Sequence, residues 1–194
     1  AQLFQDSGCA GVIEGGQSMN PSLQQILDSA MTTGATDVII LPNHSNIILA
    51  AKQAAAAKTS IHVVPTESIP QGVAALLAFN PEGSWQENVK SMSSAMSKVV
   101  SVEIINASRD VTMNGVTIAE GQYIGFLDGE LVAASNSPEM ALQSTLGTAG
   151  LNADNIVTVY CGADKSVSDA TQLTAELEAE YPGIQVDLVF GGQP

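Results

Sequence analysis

The feature that most constrains this chain is a pattern repeated in its first half: a short apolar run, a polar loop, then a segment with helical spacing. Residues 10–14 form the first run, and Gly15-Gly16-Gln17-Ser18-Met19-Asn20-Pro21 follows it. Leu23, Ile26, Leu27, Ala30 and Met31 then share one helical face. Asn20 before Pro21 suits an N-cap with proline in the first turn, and Gly34 suits the helix end. The second unit is the run at 37–41, the loop Pro42-Asn43-His44-Ser45-Asn46, and an alanine-rich helix over 47–58. The third is the run at 60–64, a loop over 65–70, and an apolar helix over 71–79. Continuous apolar strands alternating with helices over short links predict a parallel sheet, covered on both faces and joined by right-handed crossovers.

Near Asn80-Pro81-Glu82-Gly83 the grammar changes. Trp85, Val89, Met92 and Met96 mark one more helix, after which strands dominate. Asn114-Gly115 and Asp128-Gly129 each sit between two strand-like runs, and both dipeptides favour the positive φ angles of a two-residue hairpin turn. A helix over 138–149, a strand over 156–161, a helix over 167–181 and a strand over 184–190 complete the reading. The expected fold class is α/β in two lobes. A parallel α/β sheet lobe spans residues 1–82, and a mixed α+β lobe with β-hairpins spans 83–194.

Composition narrows the partners. A chain of 194 residues with 45% apolar content can bury a substantial core, and 4% aromatic residues leave little for stacking on bases or sugars. The net charge is −14, with Arg109 the single arginine. Such a chain is repelled by phosphate backbones and anionic leaflets, so neither nucleic acid nor membrane insertion is expected. Cys9 and Cys161 are the only cysteines and no metal-ligand spacing accompanies them; Cys161, after an apolar run, reads as a buried thiol. No apolar run approaches about 18 residues and no signal peptide is seen, which points to a cytoplasmic protein of bacterial type. The chain begins within what reads as the end of a helix and stops just after a strand, as a piece of a longer protein would.

In an open parallel sheet, ligands sit beyond the carboxyl ends of the strands. Three loops are expected there, at 15–22, 42–46 and 65–72. In the first, Gly15 and Gly16 allow a tight turn, Gln17 and Ser18 offer polar groups, and the N–H groups of a helix start favour an anion. A turn and helix cap without a ligand explains the same residues. Asn43, Ser45 and Asn46 offer hydrogen bonds and Gln71-Gly72 opens the third helix, with capping as their plain explanation. His44 is a general-base candidate without a marked partner, and His62, inside a strand, reads as a satisfied core residue. Arg109 can grip a carboxylate through its planar fork, or pair internally with Asp110. Gly191-Gly192-Gln193-Pro194 echoes the first loop. The chain has no phosphate loop, no nucleophile elbow, no H-E-x-x-H and no dense Asp cluster for Mg²⁺. The residues alone therefore describe a binding or assembly module with no catalytic residue assigned, no metal and no cofactor.

Several segments together carry a resemblance. Val12-Ile13-Glu14-Gly15-Gly16-Gln17-Ser18-Met19-Asn20-Pro21-Ser22 resembles the segment that opens the C-terminal domain of fatty acid kinase A proteins, which are dihydroxyacetone-kinase-like proteins of bacteria. Val38-Ile39-Ile40-Leu41-Pro42-Asn43, Ile69-Pro70-Gln71-Gly72, Leu77-Ala78-Phe79, Arg109-Asp110 and the closing Gly191-Gly192-Gln193-Pro194 are similar to that family as well. The resemblance implies a DegV-like two-lobed fold at the end of a longer kinase chain. It also implies that ATP and Mg²⁺ belong to a DhaL-like domain outside these residues. The expected partner is a DegV-type fatty-acid-binding protein that presents the acyl chain for phosphorylation; a homodimer would form through regions outside the chain. DegV-type carriers hold a carboxylate with a Thr-Ser-Gln-Pro-Ser-like loop and a Ser-Gly-Thr-Tyr-like loop. Here Gly15-Gly16-Gln17-Ser18 and His44-Ser45-Asn46 stand in their places. That departure favours a partner-docking domain over a fatty acid carrier, with a hydrolase built on His44 as a third reading.

Overall fold

The computed structural model describes residues 2–13, 20–113, 116–161 and 167–190. One compact unit runs through Ser101 and a second begins at Val102.

The first unit opens with α1 (Gln2–Asp6) and α2 (Leu23–Thr32). Ser22, and not Asn20, caps α2: its hydroxyl accepts from Gln25 N at 3.2 Å while the Gln25 side chain accepts from Ser22 N at 2.8 Å. This reciprocal pair satisfies two orphan donors at once, which a lone Asn20 cannot match. Asn20 is exposed and Pro21 is buried just outside the helix. Gly34, at φ 68°, follows the helix end in the left-handed conformation expected there.

Strand β1 (Val38–Ile40) pairs in parallel with β2 (Ile61–Val63), Ile39 opposite His62, and α3 (Ser45–Ala57) crosses between them. Helices α4 (Ile69–Leu77) and α5 (Trp85–Met96) follow. The continuous apolar run around β1 is explained by its two faces. Val38 and Ile40 pack with Ile26, Ala30, Ala54 and Ile61, whereas Ile39 and Leu41 pack with Val64, Ala75 and Met92. The first apolar run does not join this sheet: residues 11–13 are not strand, and residue 14 lies outside the described residues. Gly11 within that run has no side chain to pack on a sheet face, which weakens it as a strand. Helix α5 also belongs here and not after a boundary near residue 82, because Met92 and Val89 join the core formed by Val64 and Ala75.

In the second unit, β3 (Val102–Asn106), β6 (Tyr123–Leu127) and β7 (Glu130–Ser135) form an antiparallel sheet in the order β3-β6-β7, and β4 (Val111–Met113) pairs with β5 (Val116–Ile118) as a separate hairpin. Asp128 (φ 48°) and Gly129 (φ 82°) make the tight turn between β6 and β7 that the sequence predicts. Residues 114–115, the other predicted turn, lie outside the described residues. Helix α6 (Pro138–Ala149) starts at the cap Ser137 and ends at Gly150, at φ 69°. Then β8 (Ile156–Cys161), α7 (Val167–Glu180) and β9 (Gln185–Phe190) form a parallel crossover around Leu146, Leu177 and Ile184. Cys161 is buried, as expected. The chain is thus a mixed α/β protein of small parallel and antiparallel sheets.

Candidate functional site

Beyond the carboxyl ends of β1 and β2, Asn43 adopts φ 57°, a left-handed conformation that asparagine tolerates better than most residues. The bend turns its side chain towards Thr66, in the loop after β2. Asn43 N donates to Thr66 Oγ1 at 3.0 Å, and Thr66 Oγ1 donates back to Asn43 Oδ1 at 2.8 Å. Thr66 is wholly buried. The same Asn43 amide lies against Gly72 in α4, where any Cβ would fall on Asn43 Oδ1. Two loops and a helix are therefore locked by one hydroxyl, one amide and one missing side chain.

The neighbouring polar groups serve helix starts. Ser68 Oγ accepts from Gln71 N at 3.3 Å, and Gln71 Oε1 accepts from Glu67 N at 2.8 Å. His44 caps α3 through Nδ1, which accepts from Asn46 N at 3.1 Å, so the neutral ring carries its proton on Nε2. Ser45 and Asn46 are exposed in the first turn of α3, and Asn20 is exposed before α2. With its Nδ1 occupied by a backbone amide, His44 lacks the carboxylate that would orient it as a general base.

Elsewhere in the first unit, His62 meets the expectation of a satisfied core residue. Its Nε2 pairs with Asp37 Oδ1 at 2.8 Å and its ring stacks on Trp85, with centroids 3.7 Å apart at 6°. The Cys9 thiol is pushed up by burial, which makes it a poor nucleophile.

In the second unit, Arg109 and Asp110 lie exposed between β3 and β4. The anticipated pair between them is not made. Asp110 Oδ1 accepts instead from Glu120 N at 2.8 Å, and among the described residues the ion pair is His62 with Asp37. Of the sequence-predicted site residues, Asn43 and Gly72 are brought into contact, with Gln71 beside them. Ser45 and Asn46 sit on the same loop and helix start as Asn43. Gly15, Gly16, Gln17, Ser18, Gly191 and Gly192 lie outside the described residues. Thr66 was not singled out by sequence reasoning; its only signal is a hydroxyl two residues beyond the end of a strand run. Among the described residues no three metal-ligating side chains cluster, and no helix is long and apolar enough to cross a membrane.

Comparison with known proteins gives this geometry a context. Residues 1–194 match the FakA-like C-terminal family of fatty acid kinase subunits. The chain is 40% identical over 195 residues to Protein YloV of Bacillus subtilis (strain 168), with all of this chain and 35% of that protein covered. An uncharacterized protein of Staphylococcus epidermidis (strain ATCC 12228) is 36% identical over 196 residues, again with all of the chain and 35% of the relative covered. Uncharacterized protein SAR1202 of Staphylococcus aureus (strain MRSA252) is 30% identical over 195 residues, covering all of the chain and 36% of the relative. The chain thus spans about a third of the length of these relatives.

Proposed function

This chain belongs to the FakA-like C-terminal family of fatty acid kinase subunits, and from that membership we propose that it is a non-catalytic docking domain of a fatty-acid-kinase-type protein. In this reading it organises a DegV-type fatty-acid carrier while a DhaL-like domain elsewhere in the parent chain uses ATP and Mg²⁺ to form the acyl phosphate. The two compact units are read as the lobes of a DegV-like domain. The observation that carries the docking role is the contrast in how polar groups are used. Asn43, Thr66, Gln71 and His44 are engaged in internal hydrogen bonds, which suits a scaffold. Arg109, the single guanidinium of a chain with net charge −14, is exposed and makes no ion pair among the described residues. A fork-shaped donor left facing water suits a carboxylate supplied by a partner.

The test is Arg109→Ala, with melting and carrier affinity measured on the same protein. Stability is expected to stay within about 1 kcal/mol of the parent, as for an exposed residue. Affinity for a DegV-type carrier is expected to fall roughly tenfold or more. A large loss of melting temperature with no separate loss of affinity would make Arg109 scaffolding. Native mass spectrometry that finds an acyl chain copurifying with the chain alone, or Mg²⁺-dependent ATP turnover abolished by a point change within it, would overturn the docking reading.

A further inference from the structure

Helix α4 is built inside out. A globular helix normally turns its large apolar side chains to the core and its polar ones to water. Here Gly72 and Ala75 are buried, with Ala78 packed beside them against Val64 and Met92. The large side chains go the other way: Ile69 is 40% exposed, Leu77 80% and Phe79, just past the helix, 44%. Ile69, Val73 and Leu77 are four residues apart in turn, so they lie on one stripe. No charged residue occurs from 68 to 81, in a chain where 13% of residues are charged. The Asn43 amide seated on Gly72 explains why the inner face must be small. It gives no reason for the outer face to be apolar.

Charge indicates what covers it. Glu67 and Glu82, both exposed, bracket the stripe at its two ends, and residues 59–89 contain no lysine or arginine. A second copy would set these acids against themselves and −14 against −14. Nucleic acid and an anionic leaflet meet the same repulsion. An apolar patch with an acidic rim matches the usual interface plan of a dry centre and a polar edge. We infer that the outer stripe of α4, Ile69–Val73–Leu77 with Phe79, docks a protein surface whose apolar centre is rimmed by lysines or arginines. This rests on the docking reading above and gives it a surface distinct from Arg109.

The experiment titrates a DegV-type carrier into four forms of the chain at two salt concentrations: the parent, Leu77→Ser, the double variant Glu67→Lys/Glu82→Lys, and Arg109→Ala. Leu77→Ser is expected to weaken binding about tenfold or more, with melting unchanged. The double charge reversal is expected to slow association and flatten its salt dependence. Parent-like affinity of Leu77→Ser, beside a weakened Arg109→Ala, would overturn the stripe and leave the docking reading standing. No binding by the parent would overturn both. A lower melting temperature for Leu77→Ser would mean that the chain itself packs the stripe. Self-association of the parent that Leu77→Ser abolishes, measured by sedimentation, would assign the stripe to a second copy; either result overturns the inference.

Discussion

Both units place a glycine where a hydroxyl- or amide-bearing side chain needs room, and they use it differently. In the first, Gly72 on a helix receives the Asn43 amide, which comes from a loop and is bonded to Thr66 on another loop. In the second, Gly125 on strand β6 receives Thr145 of α6, whose hydroxyl donates to its own helix at Ala141 O, 2.7 Å away. Thr145 is thus satisfied before it meets the sheet, and the contact is packing alone. Asn43 is satisfied only through Thr66, so polar bonding and packing are one unit there. A polar knot at strand ends fixes loop geometry, whereas a close helix–sheet contact fixes only a distance.

The largest effects should come from filling the two glycines. Gly125→Ala would meet Thr145 Oγ1, with Ala133 Cβ at 3.2 Å and the backbone Ala141 O at 3.3 Å, so little can yield. A loss of about 3 kcal/mol is expected, at the upper end for overpacking, and Thr145→Ala should restore only part of it. Gly72→Ala meets the Asn43 side chain and should cost about 2 kcal/mol, with Asn43→Gly restoring most of it. Equal rescue in the two chemical-denaturation cycles would erase the distinction between knot and packing.

Replacing the threonines sharpens it. Thr66→Val removes the partner of both Asn43 N and Asn43 Oδ1 and should cost about 2 kcal/mol, the scale of stranded polar groups. Thr145→Val should cost less than about 1 kcal/mol, since its hydroxyl only bonds back to the preceding turn. Matching losses would show that the knot is no more than packing.

The smallest effect separates two helix starts of the same design. Ser22–Gln25 and Ser84–Glu87 are both reciprocal caps, one neutral and one ionisable. Hydrogen bonds from the Ser84 hydroxyl and then from Ser84 N hold the Glu87 carboxyl below its ordinary range. A depressed folded-state value means the cap's contribution is present above the unfolded carboxylate range, about 4.3, and is lost as pH falls through the lower folded value. The parent should therefore lose a little thermal stability in acid relative to Glu87→Gln. Replacing Gln25 should leave that acid limb unchanged.

Local chemistry was legible in the sequence where one segment decides the outcome. Asp128-Gly129 fixes its own turn, and Ser137, Pro138 and Gly150 bound α6 without help from the rest of the chain. At the start of α2 two caps competed, and the reciprocal partner Gln25 decided for Ser22 over Asn20. Tertiary choices were not legible. The apolar face of α5 announces that Met92 is buried without saying against what, which is why the boundary near 82 gave way to one after Ser101. Thr66 acquires its role only when a loop 23 residues earlier in the chain folds onto it. Adjacency misled at Arg109-Asp110, since the carboxylate is drawn to a backbone amide across the hairpin.

The stack of His62 on Trp85 has an optical consequence. Trp85 is the sole tryptophan, and it lies in the first unit; the three tyrosines, Tyr123, Tyr160 and Tyr181, all lie in the second. Excitation at the red edge of the absorption band therefore reports on the first unit alone, through an indole held face to face with an imidazole. Excitation further to the blue adds the phenols of the second. Unfolding followed at both wavelengths gives each unit its own colour, so one unlabelled sample tells whether they melt as one body or two.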